Sequence, residues 1–223
     1  MKILDIIFPK KCALCRTDIE AGDLCEICAR ELPVMKHICA IDDLPVYNNK
    51  TLSAYCALRY TGTVKKGIVD MKYGDRPHTA KFLGEVTYEI LDKNDKFSYK
   101  FSEFDYIVPV PATAEKIKMR GYNQASLIAN GISEKSGVSV LDGAIIKKSN
   151  VKSQSLLDFA ARQKSVAGIY EEALKVSIEG KKIILADDIL TTGATAIECA
   201  KILYKAGAEL VVAVTASTGK KDV

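Results

Sequence analysis

Apolar residues along this chain alternate between two periods, and the switching between them organises most of its length. Leu52, Ala54, Cys56, Leu58 and Tyr60 recur with period two, which predicts a strand, and Thr61-Gly62 turns the chain after it. Val64, Ile68 and Met71 then follow helical spacing to about Tyr73, and Leu83, Val86 and Ile90 repeat it from about Thr79 to Leu91. Gly74 and Pro77 separate the two helices. Asp92 to Phe101 reads as a loop, and Phe104 to Val110 as a strand stopped by Pro109 and Pro111. Asn123 to Lys135 reads as a helix, with short strands at Val138–Val140 and Ala144–Ile146. Ser149 to Ala167 is polar and weakly patterned, a long loop of the kind that is usually functional or mobile. Lys182–Ala186 is a strand, Ala194–Ala206 a helix and Glu209–Ala216 a final strand. Strands alternating with helices indicate an α/β fold, a parallel sheet with right-handed crossovers and flanking helices.

The strand ending at Ala186 leads into the most informative chemistry. Asp187 and Asp188 follow it, then Ile189-Leu190, then Thr191-Thr192-Gly193-Ala194-Thr195, where the next helix begins. Open α/β sheets bind ligands at the carboxyl ends of their strands. Backbone N–H groups of the Thr/Gly loop, its hydroxyls and the positive end of the helix make a phosphate cradle. Two carboxylates beside a phosphate repel it unless they accept hydrogen bonds, and a sugar diol supplies those. A phosphorylated ribose fits the loop better than a bare anion.

A second anion-binding stretch follows the strand at Ile107-Val108-Pro109-Val110-Pro111. It reads as a basic loop carrying Lys116, Lys118 and Arg120, with Gly121 leaving room for close approach to a ligand. Both loops follow strand ends, so a parallel sheet sets them on one edge. A ligand phosphorylated at both ends suits that edge.

Near the start, Cys12-x2-Cys15 and Cys25-x2-Cys28 form two tight thiol pairs. Four thiolates brought face to face are the ligand set of a closed structural zinc site, although an iron–sulfur cluster takes the same ligands. His37 and Cys39 lie just downstream, but four ligands already complete the shell. Cys56 and Cys199 sit in apolar patterns and read as core residues. Pro33 to Lys50 reads as a connector. The expected division is a small four-cysteine zinc-binding module and connector over residues 1–50 and an α/β domain over residues 51–223. So short a module depends on its metal for folding.

Composition narrows the function classes further. The 223 residues are 48% hydrophobic and 27% charged, which excludes a disordered chain. A net charge of +4 admits an anionic partner without demanding one. Met1 to Phe8 is too short for a secretory leader and nothing approaches a membrane span, so the expected location is cytoplasmic. Seven cysteines, four of them clustered, fit metal binding in a reducing compartment.

The Asp187-Asp188 and Thr191–Thr195 stretch resembles the 5-phosphoribosyl-1-pyrophosphate (PRPP) motif of type I phosphoribosyltransferases. The whole layout is similar to the ComF family of competence proteins: a four-cysteine head, a Val-Pro-Val-Pro strand end, Arg120-Gly121-Tyr122-Asn123-Gln124, and the PRPP loop, in that order. Tyr60-Thr61-Gly62 and Met71-Lys72-Tyr73-Gly74-Asp75 match a further stretch of that family. Gln154 and Arg162 match its mobile loop, which is otherwise only loosely kept. The resemblance implies a type I phosphoribosyltransferase-like sheet in which Asp187 and Asp188 hold the ribose. It implies that Thr191, Thr192, Gly193, Ala194 and Thr195 wrap the 5-phosphate, and that Arg120, Gly121 and Lys72 meet the pyrophosphate, with Mg²⁺ arriving on the PRPP. No catalytic residue is assigned. The family favours a DNA-uptake factor that handles single-stranded DNA alongside DNA-uptake proteins. A phosphoribosyltransferase (a pentosyltransferase acting on an unidentified acceptor) and a non-catalytic PRPP-sensing regulator stay open beside it. Lys10, Lys11, Arg16, Arg30, Lys36, Lys65 and Lys66 give the amino-terminal half a basic character suited to DNA phosphates.

Overall fold

The structure is a computed structural model describing residues 9–74, 76–148 and 168–220; the predicted long loop with Gln154 and Arg162, and Asp75, lie outside the described residues. The amino-terminal module opens with a short antiparallel pair, β1 (Lys10–Lys11) and β2 (Asp18–Ile19), followed by a five-residue helix, α1 (Glu26–Arg30). Beyond it come β3 (Cys39–Tyr47), β4 (Lys50–Arg59), α2 (Gly62–Tyr73) and α3 (Pro77–Asp92). A single 3₁₀ turn at Phe101–Glu103 precedes β5 (Tyr106–Pro109), α4 (Ala114–Arg120) and α5 (Gln124–Ser136). The remaining elements are β6 (Ser139–Val140), β7 (Ile145–Lys147), β8 (Tyr170–Glu172), β9 (Lys182–Leu190), α6 (Ala194–Lys205) and β10 (Leu210–Thr218).

Six strands form the central sheet in the order β3-β4-β10-β9-β5-β6. Every neighbouring pair is parallel except β3–β4, where β3 closes the edge antiparallel to β4. β7 and β8 form a separate antiparallel hairpin. Strand alternation sends residues to two cores. Ile184, Ala186, Val212 and Val214 pack with Ile68, Met71, Leu83 and Ile128 of α2, α3 and α5. Ile183, Leu185, Val211 and Ala213 pack on the opposite face with Ile197, Ala200 and Leu203 of α6. Helices on both faces of a parallel sheet make this an α/β fold.

The module packs on that body. Leu14 is fully buried in the α2–α3 core, and the Thr79 hydroxyl donates to the Ala13 carbonyl at 2.7 Å.

Three sequence expectations are corrected. The stretch from Pro33 to Lys50, read as a connector, carries β3 and completes the main sheet. The predicted loop from Asp92 to Phe101 is kept, running without regular structure between α3 and the 3₁₀ turn, and Phe97 and Phe101, whose rings pack 5.1 Å apart, anchor it to the core. The basic loop is helical over α4, because the Thr113 hydroxyl accepts from the Lys116 N–H and Gly121 ends the helix in the left-handed region at φ 81°. The strand expected to stop at Ala186 runs on to Leu190, because β10 continues beside it and pairs Thr215 with Asp187 and Ser217 with Ile189. The strand at Tyr170–Glu172 carries no alternating run long enough to show in the sequence.

Candidate ligand cleft and metal centre

β5 is the shorter neighbour of β9. Its last pairing sets Pro109 against Ala186, and the Val110 N–H bonds the Ala186 carbonyl at 2.9 Å. Past that point the β5 side of β9 has no strand partner among the described residues, and a cleft of about 250 Å³ opens there. Asp187 and Asp188 are the next two residues of β9, and both line it. They reach it from opposite faces of the sheet, since Asp188 continues the row of Ile184 and Ala186, and Asp187 that of Ile183 and Leu185.

On the Asp188 face, the last turn of α2 carries Lys72, whose Nζ lies 2.7 Å from Asp188 Oδ2. The next residue, Tyr73, is stacked by the Arg120 guanidinium 5.6 Å from its ring centre. Arg120 Nη1 donates to Gln124 Oε1 at 2.9 Å, while its buried Nε has no acceptor among the described residues. A buried guanidinium nitrogen without an acceptor is costly, and an anionic ligand would supply one. Lys116, one turn before Arg120 on α4, also lines the cleft.

On the Asp187 face lies the start of α6. Gly193 precedes it at φ 84° with no side-chain cap on the helix. Its left-handed dihedral favours glycine there, and a Cβ would stand 2.7 Å from Ile41 Cδ1 of β3, whose side-chain tip would have to shift. Ala194 N–H donates to the Thr192 hydroxyl at 3.3 Å, and Thr195 lines the cleft. Thr191, Gly193 and Thr195 line a small, partly open pocket of about 30 Å³ with Asp187, large enough for a water.

Electrostatically the acids are constrained. Burial, and then the charge of Asp188, pushes the Asp187 carboxyl up, against an opposing pull from Lys72. Of the predicted ligand residues, Lys72, Arg120, Asp187, Asp188 and Thr195 share the cleft, and Thr191 and Gly193 adjoin it. Gly121 stands apart as the C-cap of α4, and Thr192 and Ala194 form the turn into α6. Lys147 and Tyr170, which the sequence did not single out, line the cleft as well.

The metal centre lies in the module. Cys12 and Cys15 sit in the turn between β1 and β2, Cys25 caps α1 and Cys28 lies within it. The four Sγ atoms all lie within 4.8 Å of one another, with Cys15 and Cys25 at 3.6 Å. A tetrahedral zinc with Zn–S bonds of about 2.3 Å requires S···S distances of about 3.8 Å, and the cluster matches that span. Burial and the three neighbouring thiols push the Cys28 thiol up, so four thiolates need a cation among them. His37 and Cys39 take no part: His37 faces Lys96, and the Cys39 thiol points to the Ile41 carbonyl.

Among the described residues, no helix is long and apolar enough to cross a membrane.

Residues 3–57 match the double zinc ribbon domain. The chain is similar along most of its length to three curated proteins. DNA utilization protein YhgH of Escherichia coli is 23% identical over 91% of this chain and 94% of its own length. Competence protein F of Haemophilus influenzae is 23% identical over 89% and 86%, and Competence protein ComFC of Bacillus subtilis 28% identical over 89% and 79%. Among solved structures, the glutamine PRPP amidotransferase of B. subtilis matches with a TM-score of 0.41 at 21% identity. That match covers 67% of this chain and only 30% of the amidotransferase. A purine phosphoribosyltransferase from Pyrococcus horikoshii matches with a TM-score of 0.38 at 15% identity, over 63% and 71% of the two chains.

Proposed function

We propose that this is a DNA-uptake and DNA-utilization protein of the ComF type whose cleft binds PRPP or another ribose phosphate. One observation carries the ribose phosphate reading: the cleft straddles the edge of β9, with Asp187, Thr195 and the uncapped α6 start on one face and Asp188, Lys72 and Arg120 on the other. A sugar phosphorylated at both ends spans such an edge, its diol on the two carboxylates. Its 5-phosphate takes the N–H groups and hydroxyls of Thr191, Thr192, Gly193, Ala194 and Thr195, and its pyrophosphate takes Arg120.

Mg²⁺, carried on the pyrophosphate oxygens, offsets charge on that group. The acids already have Lys72 as counter-ion, so their part is to orient the ribose. If an acceptor amine or base attacks the anomeric carbon, the departing pyrophosphate gathers charge that Arg120 and the nearby lysines stabilise. With no acceptor the same grip makes a PRPP sensor. The DNA part of the reading rests on the curated relatives' names. It is supported by exposed Lys10, Lys11 and Arg16, which share an open cleft with Arg76 and His78 beside the zinc module.

Calorimetry with PRPP and with ribose 5-phosphate tests the ribose phosphate reading. Arg120→Ala should weaken PRPP at least tenfold, in line with ~1.5–3 kcal/mol for a charged hydrogen bond, and leave ribose 5-phosphate nearly unchanged. Equal losses for both ligands would remove Arg120 from the pyrophosphate site.

A further inference from the structure

Two side chains of the cleft come from the β7–β8 hairpin, outside every loop assigned above. Lys147 and Tyr170 are directly opposed across the hairpin, and both line the cleft. Lys147 Nζ stands 5.0 Å from the centre of the Tyr170 ring. Lys147 is half-buried and makes no ion pair among the described residues, although long cationic side chains ordinarily reach for water or a carboxylate. Burial, and then the charge of Lys116, pulls its ammonium pKa down. Tyr170 is almost wholly buried, and its phenol is turned to the Thr195 hydroxyl at the start of α6.

The hairpin therefore delivers a cation with no direct ion pair among the described residues, drawn only at a distance by Cys199 and Asp187, and a phenol to the side of the cleft where the uncapped helix begins. A half-buried cation beside a helix N-terminus with no carboxylate in contact is an arrangement that an anionic ligand relieves. We propose that Lys147 and Tyr170 are a third anion-binding element of the cleft, contacting the sugar's 5-phosphate beside the Thr191–Thr195 loop. Lys147 supplies charge. Tyr170 holds it in place through its ring and shares the Thr195 hydroxyl with the phosphate. The assignment rests on the ribose phosphate reading of the cleft.

Calorimetry on the full chain separates the two ideas. Wild type is titrated with PRPP, ribose 5-phosphate and inorganic pyrophosphate, and Lys147→Met, Lys147→Arg and Tyr170→Phe are compared with it. Lys147→Met should weaken PRPP and ribose 5-phosphate alike, by about tenfold or more, and leave pyrophosphate unchanged. Lys147→Arg should recover most of the affinity. Tyr170→Phe, which keeps the ring, should lose less than Lys147→Met. At alkaline pH an anion beside Lys147 raises its pKa, so wild type should take up protons on binding and Lys147→Met should not; buffers of differing ionisation enthalpy read this directly. A wild type that binds neither sugar phosphate would overturn the ribose phosphate reading itself. A wild type that binds both, with Lys147→Met binding as tightly, would overturn only the role of the hairpin.

Discussion

Asp187 carries the sharpest conflict in the molecule. It is a carboxylate at the end of a buried row, beside a second carboxylate, with Lys72 placed on that neighbour. Burial and Asp188 together raise its pKa from 3.8 to about 8. The folded chain therefore holds this proton more tightly than the unfolded chain does. The stabilisation is complete below pH ~4 and is lost as pH rises towards about 8. Asp187→Asn should remove that loss. In denaturant titrations of ligand-free protein, the variant should gain on wild type between these limits, by something on the order of 1–3 kcal/mol. Each tenfold difference in proton affinity between the folded and unfolded chain is worth about 1.4 kcal/mol, and solvent at the cleft screens part of it. Parallel stability curves would show that the carboxyl titrates normally. The acid pair was legible in the sequence because an apolar run, two acids and a Thr/Gly loop lie consecutively. Lys147 and Tyr170 were not, because only hairpin pairing between distant residues makes them neighbours.

At the scale of elements, local signals succeeded where helical periodicity met clear stops and starts, as at Gly74 and Pro77 between α2 and α3 and at the Asn123 cap of α5. They failed where pairing decided. In α4 the apolar Ile117 and Met119 are two apart, which is no helical spacing, and the Thr113 cap with the Gly121 stop makes the helix instead. β9 runs through two acids because β10 holds its ladder. The zinc knuckles are the opposite case, where spacing alone was decisive. Cys12, Cys15, Cys25 and Cys28 hold together two short strands and a helix of five residues that have little core of their own. Metal analysis should find one zinc per chain. Cys12→Ser, or stripping with a chelator, should loosen the module and weaken salt-dependent binding of single-stranded DNA, with ribose 5-phosphate affinity largely kept. A visible charge-transfer band from iron, or no stoichiometric metal, would contradict the zinc assignment.

Across the whole molecule, the module and the cleft share one body. Leu14 packs into the α2–α3 core, the last turn of α2 sets Lys72 at the cleft, and β3 lays Ile41 against Gly193 at the turn into α6. A segment that reads as a connector thus packs against the turn that leads into α6, which no local pattern announced. On the proposed reading the two features have different partners in view: a basic surface at the head for a phosphate backbone, and an acidic pair in the cleft for a ribose diol. Deoxyribose lacks the 2-hydroxyl, so the cleft should refuse the sugar of DNA while the head accepts its phosphates. The central claim is that Asp187 and Asp188 read a diol. One calorimetric comparison on wild-type protein tests it, ribose 5-phosphate against 2-deoxyribose 5-phosphate. The two differ by a single hydroxyl and carry the same phosphate. Loss of a hydrogen bond to a charged group costs ~1.5–3 kcal/mol, so ribose 5-phosphate should bind at least about tenfold tighter. Equal affinities would mean that the carboxylates do not hold the sugar.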